Sequence, residues 1–136
     1  MPRVLVNIDV ANLEAAIRFY TSALGLRLGR RFGPEAAELL GAEAPIYLLE
    51  QPAGSVPFAG AAMHREYRRH WTPVHLDFAV EDLEAAVQRA EAAGAKREGA
   101  VSEQAWGRIA YCSDPFGNGF CLLEFNERGY DAIATG

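Results

Sequence analysis

The chain has 136 residues, with 13 basic and 18 acidic side chains and a net charge of −5. That length fits a single domain over residues 1–136, and the acidic balance excludes a broad nucleic-acid-binding patch. No window approaches the ~20 apolar residues of a membrane span, nothing resembles a signal peptide, and two cysteines are too few for a disulfide scaffold. We therefore expect a reduced, cytoplasmic chain with no nucleic-acid or membrane partner.

The first half reads as a strand, a helix and further strands. Residues 4–10 alternate apolar and polar side chains, which predicts a strand. Asn12 then stands at an N-cap position, an apolar spacing of about 3.6 residues predicts a helix over residues 13–24, and Gly25 ends it. We expect further strands at residues 26–32 and 45–50, with one or two helical turns between them at residues 34–40.

Residues 51–73 form the one composition break in the chain, because Gly, Pro and Ala predominate there. The segment also carries a short basic run, with aromatic residues interleaved: Arg65, Tyr67, Arg68, Arg69, His70 and Trp71. We interpret it as a linker within one domain, since neither half has a core of its own. Because the chain is acidic, a solvated linker or a dimer contact is favoured over a phosphate contact.

The second half repeats the first. Residues 74–87 read VHLDFAVEDLEAAV and answer VLVNIDVANLEAAI at residues 4–17, and a strand ending in Leu-Leu-Glu occurs in both halves. Asp82 and Gly94 bound the second helix, as Asn12 and Gly25 bound the first. Strands are predicted at residues 96–101, 108–112 and 119–125, with a hairpin turn at residues 114–119. The sequence therefore predicts module 1 at about residues 1–52, a linker at 53–72, module 2 at about 73–126 and a tail at 127–136.

Together these motifs resemble the vicinal oxygen chelate superfamily, which includes glyoxalase I, bleomycin- and fosfomycin-resistance proteins and extradiol dioxygenases. The resemblance covers nearly the whole chain and rests on residues 10–26, residues 75–83, the Trp-Gly-Arg segment at 106–108 and the Asp-Pro-Phe-Gly-Asn segment at 114–118. It implies an α+β fold of two tandem βαβββ modules. Their mixed sheets would curl into a cup that holds the ligand, with the helices on the outer face. It also implies a homodimer, because members of this family often complete the cup from two protomers.

The resemblance further implies a divalent ion, held by a His or Gln early in the first strand of each module and a Glu late in the last. The matching positions here are Leu5, Tyr47, His75 and Cys121. Only His75 is a usual ligand at its position, and open catalytic zinc sites normally keep three protein ligands. We therefore favour no metal and no other cofactor, while a divalent metal with an altered ligand set stays open.

Two residues are candidates for catalysis. His75 could serve as a general base beside Asp77, although we favour a hydrogen-bonded structural histidine. Cys121 could serve as a nucleophile, although free cysteines mostly behave as small buried hydrophobes, which we favour. The residues predicted to bind a ligand in the cup are Asn7, Tyr47, His75, Asp77, Trp106, Tyr111 and Cys121. Simple core packing stays open for Trp106 and is favoured for Tyr111.

Three functions remain open at this point. We favour a metal-independent protein that binds a small, planar or amphipathic molecule in its cup. The alternative is an enzyme, either a glyoxalase-type lyase or isomerase or a dioxygenase, with an altered metal site or a metal-free site centred on His75. The third is a structural or regulatory dimer with an empty cup. Kinship at the level of the fold does not choose among these functions.

Overall fold

The computed structural model describes residues 1–70 and 72–136. Trp71, which belongs to the predicted linker, lies outside the described residues. The chain divides into two compact units, Met1–Arg68 and Arg69–Gly136, and each is described by itself. No helix among the described residues has both the length and the apolar character needed to cross a bilayer.

Unit 1 is a four-stranded mixed sheet with one helix. Its elements in chain order are β1 (Val6–Val10), α1 (Leu13–Leu24), β2 (Arg27–Arg31), β3 (Ala36–Leu40) and β4 (Ile46–Glu50). The strand order is β1-β4-β3-β2, in which β1 and β4 are parallel and the other pairs are antiparallel. The helical turns expected at residues 34–40 are wrong, because Ala36–Leu40 pairs along β4 as a strand. Tertiary pairing here overrides the helix propensity of its alanine and leucine residues.

Unit 2 repeats this plan with one strand more. Its elements are β5 (Leu76–Ala79), α2 (Leu83–Ala93), β6 (Lys96–Arg97), β7 (Ser102–Gln104), β8 (Gly107–Ser113), β9 (Gly119–Phe125) and a short 3-10 helix at Gly129–Ala132. The order is β5-β9-β8-β6, and β7 also pairs with β8. The strand expected at residues 96–101 is shorter than predicted, since β6 covers only Lys96–Arg97, and β7 at Ser102–Gln104 was not predicted. The α+β class and the tandem modules are confirmed.

The first strand of each unit is shorter than its alternating pattern. β1 begins opposite Ile46 and β5 begins opposite Phe120, where their parallel partner strands provide the first register position. Residues before those points have no ladder partner among the described residues, so Val4 and Val74 are exposed despite their apolar side chains. The alternation therefore predicts the strands correctly but overestimates their length.

Both helices begin and end as the sequence predicts. The Asn12 side chain accepts a hydrogen bond from the Ala15 backbone N–H at 2.8 Å, and Asp82 accepts one from Ala85 at 3.1 Å. Gly25 and Gly94 end the helices with φ of 66° and 116°, a left-handed conformation in which a Cβ would be strained. These four residues fix where each helix starts and stops.

The repeated Leu-Leu-Glu ending joins each sheet to its helix. Glu50 Oε1 accepts a hydrogen bond from the Leu13 backbone N–H at 2.9 Å, and Glu124 Oε1 accepts one from Leu83 at 3.2 Å. Each carboxylate therefore lies at the positive end of a helix dipole and satisfies an N–H group that the helix itself cannot. Since alternate residues of a strand point to opposite faces, Tyr47 and Cys121 lie on the sheet face turned away from the helix, here called the distal face.

The core of each unit lies between the helix and the facing side of its sheet. In unit 1, Leu13 and Phe19 of the helix and Leu48 of β4 are almost fully buried. In unit 2 the same role falls to Leu83 of the helix and Leu122 of β9. Burying these side chains is the main driving force that holds the helix against the sheet. The distal faces do not take part in this helix–sheet packing.

Candidate functional site

Five of the seven predicted ligand-binding residues lie in matched rows on the two distal faces. In unit 1, Asn7 of β1 stands opposite Tyr47 of β4. In unit 2, Asp77 of β5 stands opposite Cys121 of β9, which in turn stands opposite Tyr111 of β8. Directly opposed residues share a face and approach one another closely, so each row forms a continuous surface within its unit.

His75, the residue before β5, forms a polar centre with Asp77 beside the unit 2 row. His75 Nε2 lies 3.2 Å from Asp77 Oδ1, and both side chains are a little over one third exposed. One potential ligand atom from each of His75, Asp77 and Cys121 lies within 4.8 Å of the other two. The structure therefore brings together three of the residues that the sequence singled out.

Cys121 lies at the buried end of this cluster. Burial is the main cause, and the hydrogen bond to the Asp77 carboxylate the second, that raises the pKa of its thiol to about 12. A protonated thiol is the opposite of the thiolate that a nucleophile requires, so this environment favours the structural interpretation of Cys121. The thiol of Cys112 is also protonated, because burial raises its pKa to about 11, and both cysteines are free.

An apolar patch continues the unit 2 row. Ile109, Cys121 and Leu123 form a buried cluster, and the half-buried ring of Trp106 packs against it. Two further aromatic side chains surround Trp106, with ring centroids 5.8 Å away for Phe125 and 5.5 Å away for Tyr130.

Sequence reasoning missed Phe125 and Tyr130. Tyr130 belongs to the short 3-10 helix of the C-terminal tail, a segment with no periodicity that would point to a site. The three rings nevertheless lie together, because the Phe125 and Tyr130 centroids are also only 4.8 Å apart. The signal that could have identified them is the unusual pair of aromatic residues flanking a turn after the last strand.

A small recess lies beside the polar centre of unit 2. Arg69, His75, Glu98, Tyr111 and Cys121 are among the residues that line it, and its cavity volume of about 10 Å³ matches the space of about one water molecule. Arg69 forms a two-pronged ion pair with Glu98, with N–O distances of 2.6 and 2.9 Å.

Arg69 crosses the start of β9 at Gly119. A Cβ atom built on Gly119 would lie 2.7 Å from Arg69 Nη2, so a larger residue there would displace the Arg69 guanidinium. Neither Arg69 nor Glu98 was predicted as a site residue, because the sequence places Arg69 in the linker and Glu98 in an exposed strand.

A buried carboxylate that the sequence did not predict occupies the distal face of unit 1. Glu38 of β3 is only 5% exposed and stands opposite Tyr47. It accepts hydrogen bonds from Arg30 Nε at 3.0 Å, from Arg30 Nη2 at 2.7 Å and from the Tyr47 hydroxyl at 3.1 Å. The hydrogen bonds from Arg30 are the main cause that lowers the pKa of Glu38 to about 2, so this carboxylate is charged at neutral pH.

The residues present do not fit the four-ligand ion site that the resemblance implies. Leu5 is half exposed and has no ligand atom, and the Tyr47 hydroxyl is engaged with Glu38. The ligand-bearing cluster in unit 2 shares only His75 and the Cys121 position with that set, and it adds Asp77. No step through a metal ion is therefore derived for this chain.

Three further carboxylates lie close together on the helix side of the unit 2 sheet, and each has a hydrogen bond or an ion pair that explains its position. The Asp82 side chain caps α2, and Glu84 and Glu124 both pair with Arg108. Arg108 lies 2.7 Å from Glu124 and contacts Glu84 with two nitrogens. These carboxylates serve to hold the start of α2 against β8 and β9.

The three arginines of the basic run are each paired with a carboxylate. Arg65 lies 2.7 Å from Asp9 within unit 1, Arg68 contacts Glu66, and Arg69 pairs with Glu98. Asp9, which the alternation places on the distal face of β1, is thus committed to Arg65. These ion pairs support the interpretation that the run is not a phosphate contact.

Comparisons with known proteins agree with this architecture. A family model described as "Glyoxalase-like domain" matches residues 5–123. The Anthracycline biosynthesis protein DnrV of Streptomyces peucetius is 33% identical over 134 residues, which are 96% of this chain and 44% of that protein. The chain thus spans less than half the length of this relative.

Two solved structures share the fold at low sequence identity. A glyoxalase-related enzyme from Fulvimarina pelagi is 19% identical, with a TM-score of 0.71 over 91% of this chain and 88% of the other. The genomically encoded fosfomycin resistance protein FosX of Listeria monocytogenes, in a variant complexed with Mn(II) and 1S,2S-dihydroxypropylphosphonic acid, is 16% identical, with a TM-score of 0.69 over 91% of this chain and 90% of the other. Because the family model matches residues 5–123, most of the length of the chain, and the fold agrees with it, the chain belongs to the glyoxalase-like domain family, within the vicinal oxygen chelate superfamily.

Proposed function

We propose that this protein binds a small, planar or amphipathic molecule on the distal faces of its sheets, and that it does so without the divalent ion of its metal-dependent relatives. The observation that carries the proposal is the makeup of those faces. Three of the four metal-ligand positions hold Leu5, Tyr47 and Cys121, while aromatic and hydrogen-bonding side chains surround them. An apolar surface with a few convergent polar groups is what a small-molecule site requires.

The aromatic cluster of unit 2 supports a planar ligand. Trp106, Phe125 and Tyr130 meet at angles of 59° to 82°, so their rings offer both faces and edges to an aromatic molecule. His75 and Asp77 lie on the same sheet face and supply hydrogen-bonding groups. The relative named for anthracycline biosynthesis supports the same ligand class, since anthracyclines are planar polycyclic aromatics.

Fluorescence titration tests this proposal. Replacing Trp71 with Phe leaves Trp106 as the only tryptophan, because the chain has two. Anthraquinone-2-sulfonate, a water-soluble planar tricycle, should then quench Trp106 saturably. His75→Ala should weaken binding about five- to tenfold without changing the melting temperature, as expected for the loss of one hydrogen bond. His64→Ala, which changes an exposed loop histidine, is the matched control.

Two results would contradict the proposal. One is a titration without saturable quenching, and the other is an equal effect of the His64 and His75 changes. Elemental analysis of protein purified without chelator should give clearly less than one equivalent of divalent metal. If the protein instead contains stoichiometric metal, and His75→Ala removes it, then His75 is a metal ligand and does not bind the small molecule.

The short distance between His75 and Asp77 favours one alternative, a metal-free isomerase or lyase. A carboxylate 3.2 Å from an imidazole can orient it as a general base that removes a proton next to a carbonyl group. In deuterated water such an enzyme would exchange that proton of a bound carbonyl compound, an exchange that NMR detects and that His75→Ala would abolish.

A homodimer in the cytoplasm completes the proposal, and sedimentation would test the dimer.

A further inference from the structure

The ion pair between Arg30 and Glu38 is built differently from an ordinary surface salt bridge. The Arg30 side chain is 68% exposed, whereas that of Glu38 is 7% exposed. Besides the two side-chain bonds, the Arg30 backbone N–H donates to Glu38 Oε1 at 3.2 Å. Surface pairs usually have two mobile partners and little fixed geometry. Here a buried carboxylate holds one edge of an exposed guanidinium in a defined orientation.

Arg30 lies beside two aromatic rings of the same distal face. Its guanidinium carbon is 5.3 Å from the centroid of the Phe32 ring, and the rings of Phe32 and Tyr47 are 6.1 Å apart with a tilt of 41°. Phe32 is 45% exposed, so an apolar surface remains accessible next to the guanidinium. The Tyr47 hydroxyl donates a hydrogen bond to Glu38, which also fixes the position of that ring.

The outer edge of Arg30 remains a hydrogen-bond donor. A guanidinium has five N–H groups, and the bonds from Nε and Nη2 to Glu38 account for two of them. Because Glu38 neutralises the charge of Arg30, net attraction for an anion is small. What remains is a fixed set of N–H donors beside an aromatic surface, which suits a neutral acceptor such as a carbonyl oxygen.

We propose that Arg30 is a specificity-determining residue that donates hydrogen bonds to the carbonyl oxygens of a quinone-type planar ligand lying against Phe32 and Tyr47. Glu38 is the positioning residue for Arg30. This inference rests on the proposed function but concerns the distal face of unit 1 by itself. It adds a chemical class, because it selects planar molecules with carbonyl oxygens on the ring edge over hydrocarbons of the same shape.

Two ligands of equal charge and similar ring shape test the selection. Anthraquinone-2-sulfonate and anthracene-2-sulfonate differ in the two quinone oxygens, and calorimetric titration measures the dissociation constant of each. The unchanged protein should bind the quinone about tenfold more tightly, as expected for one hydrogen bond from a charged donor. The variant that combines Arg30→Met with Glu38→Gln removes the donor without leaving a buried charge, and it should bind both ligands with similar affinity.

Two further variants keep the test falsifiable if the double variant folds poorly. Arg30→Lys retains a cation for Glu38 but loses the guanidinium fork, so it should lose most of the preference. Arg31→Met is the matched control, because Arg31 pairs with Glu14 of α1 on the helix side of the sheet and should leave the preference unchanged.

The outcomes separate this inference from the proposed function. If the unchanged protein binds both ligands equally, or if Arg30→Lys keeps the full preference, the role of Arg30 is refuted while ligand binding stands. A loss of preference in Arg31→Met refutes it as well, since the effect would then come from net charge. If neither ligand binds the unchanged protein, the proposed function fails and this inference fails with it.

Discussion

Glu50, the last residue of β4, and Glu124, the next-to-last residue of β9, should stabilise the protein by capping the helices. Glu50→Ala removes the acceptor of the Leu13 N–H and leaves that group without its 2.9 Å partner. Loss of a helix-capping side chain costs about 1 kcal/mol. For a chain of 136 residues this corresponds to a fall in melting temperature of about 3 to 4 °C. Glu124→Ala should cost the same or more, because Glu124 also pairs with Arg108 at 2.7 Å.

Glutamine variants separate the hydrogen bond from the charge. Glu50→Gln keeps an oxygen of the same reach, so it should lose only the interaction of the carboxylate with the helix dipole, less than half of the alanine effect. Urea denaturation followed by circular dichroism at the helix band measures all three variants, with Glu127→Ala in the exposed tail as control. If Glu50→Ala and Glu50→Gln are equally stable, the capping role assigned to the repeated glutamate is refuted.

Three more predictions concern the distal faces and the tail. Because the pKa of Cys121 rises from 9.0 to about 12, its thiolate fraction at neutral pH falls about a thousandfold. Iodoacetamide should therefore label Cys121 far more slowly in the native chain than in the unfolded chain. Equal labelling rates, measured by mass spectrometry, would contradict this. Because the pKa of Glu38 is lowered from 4.5 to about 2, its contribution to stability should be complete above pH 4.5 and disappear as the pH falls towards 2. The difference in stability between the unchanged protein and Glu38→Gln should therefore shrink over that range. A constant difference would refute this prediction. Removing the tail after Asn126 takes away the Tyr130 ring, so Trp106 emission should shift to longer wavelength and become more accessible to acrylamide; an unchanged spectrum would show that the aromatic contact does not persist in solution.

The repeated parts of the fold could be predicted from the sequence because their signals are local. Asn12 and Asp82 satisfy N–H groups three residues away, and the two glycines act through their own backbone conformation. Such signals need no knowledge of which strands are neighbours.

The parts that the sequence did not reveal depend on pairing between distant segments. Glu38 becomes a site residue only because β3 pairs with β2 and β4, and the register between β2 and β3 shifts between Leu28 and Arg31. Similarly, the sequence shows Glu50 only as part of the repeated Leu-Leu-Glu ending. Its contact with Leu13 follows only from the placement of β4 beside the start of α1. The roles of the seven site residues stay predictions, which ligand titration tests: Asn7, Tyr47, His75, Asp77, Trp106, Tyr111 and Cys121.

We propose above that a planar ligand binds to this chain without a metal ion. Calorimetric titration of anthraquinone-2-sulfonate into chelator-treated protein, before and after addition of one equivalent of Zn²⁺ or Mn²⁺, tests it most directly. We expect saturable binding to the metal-free protein, with a dissociation constant that the added ion changes by less than about twofold, which is within about 0.4 kcal/mol. Binding that appears only after the ion is restored would contradict it.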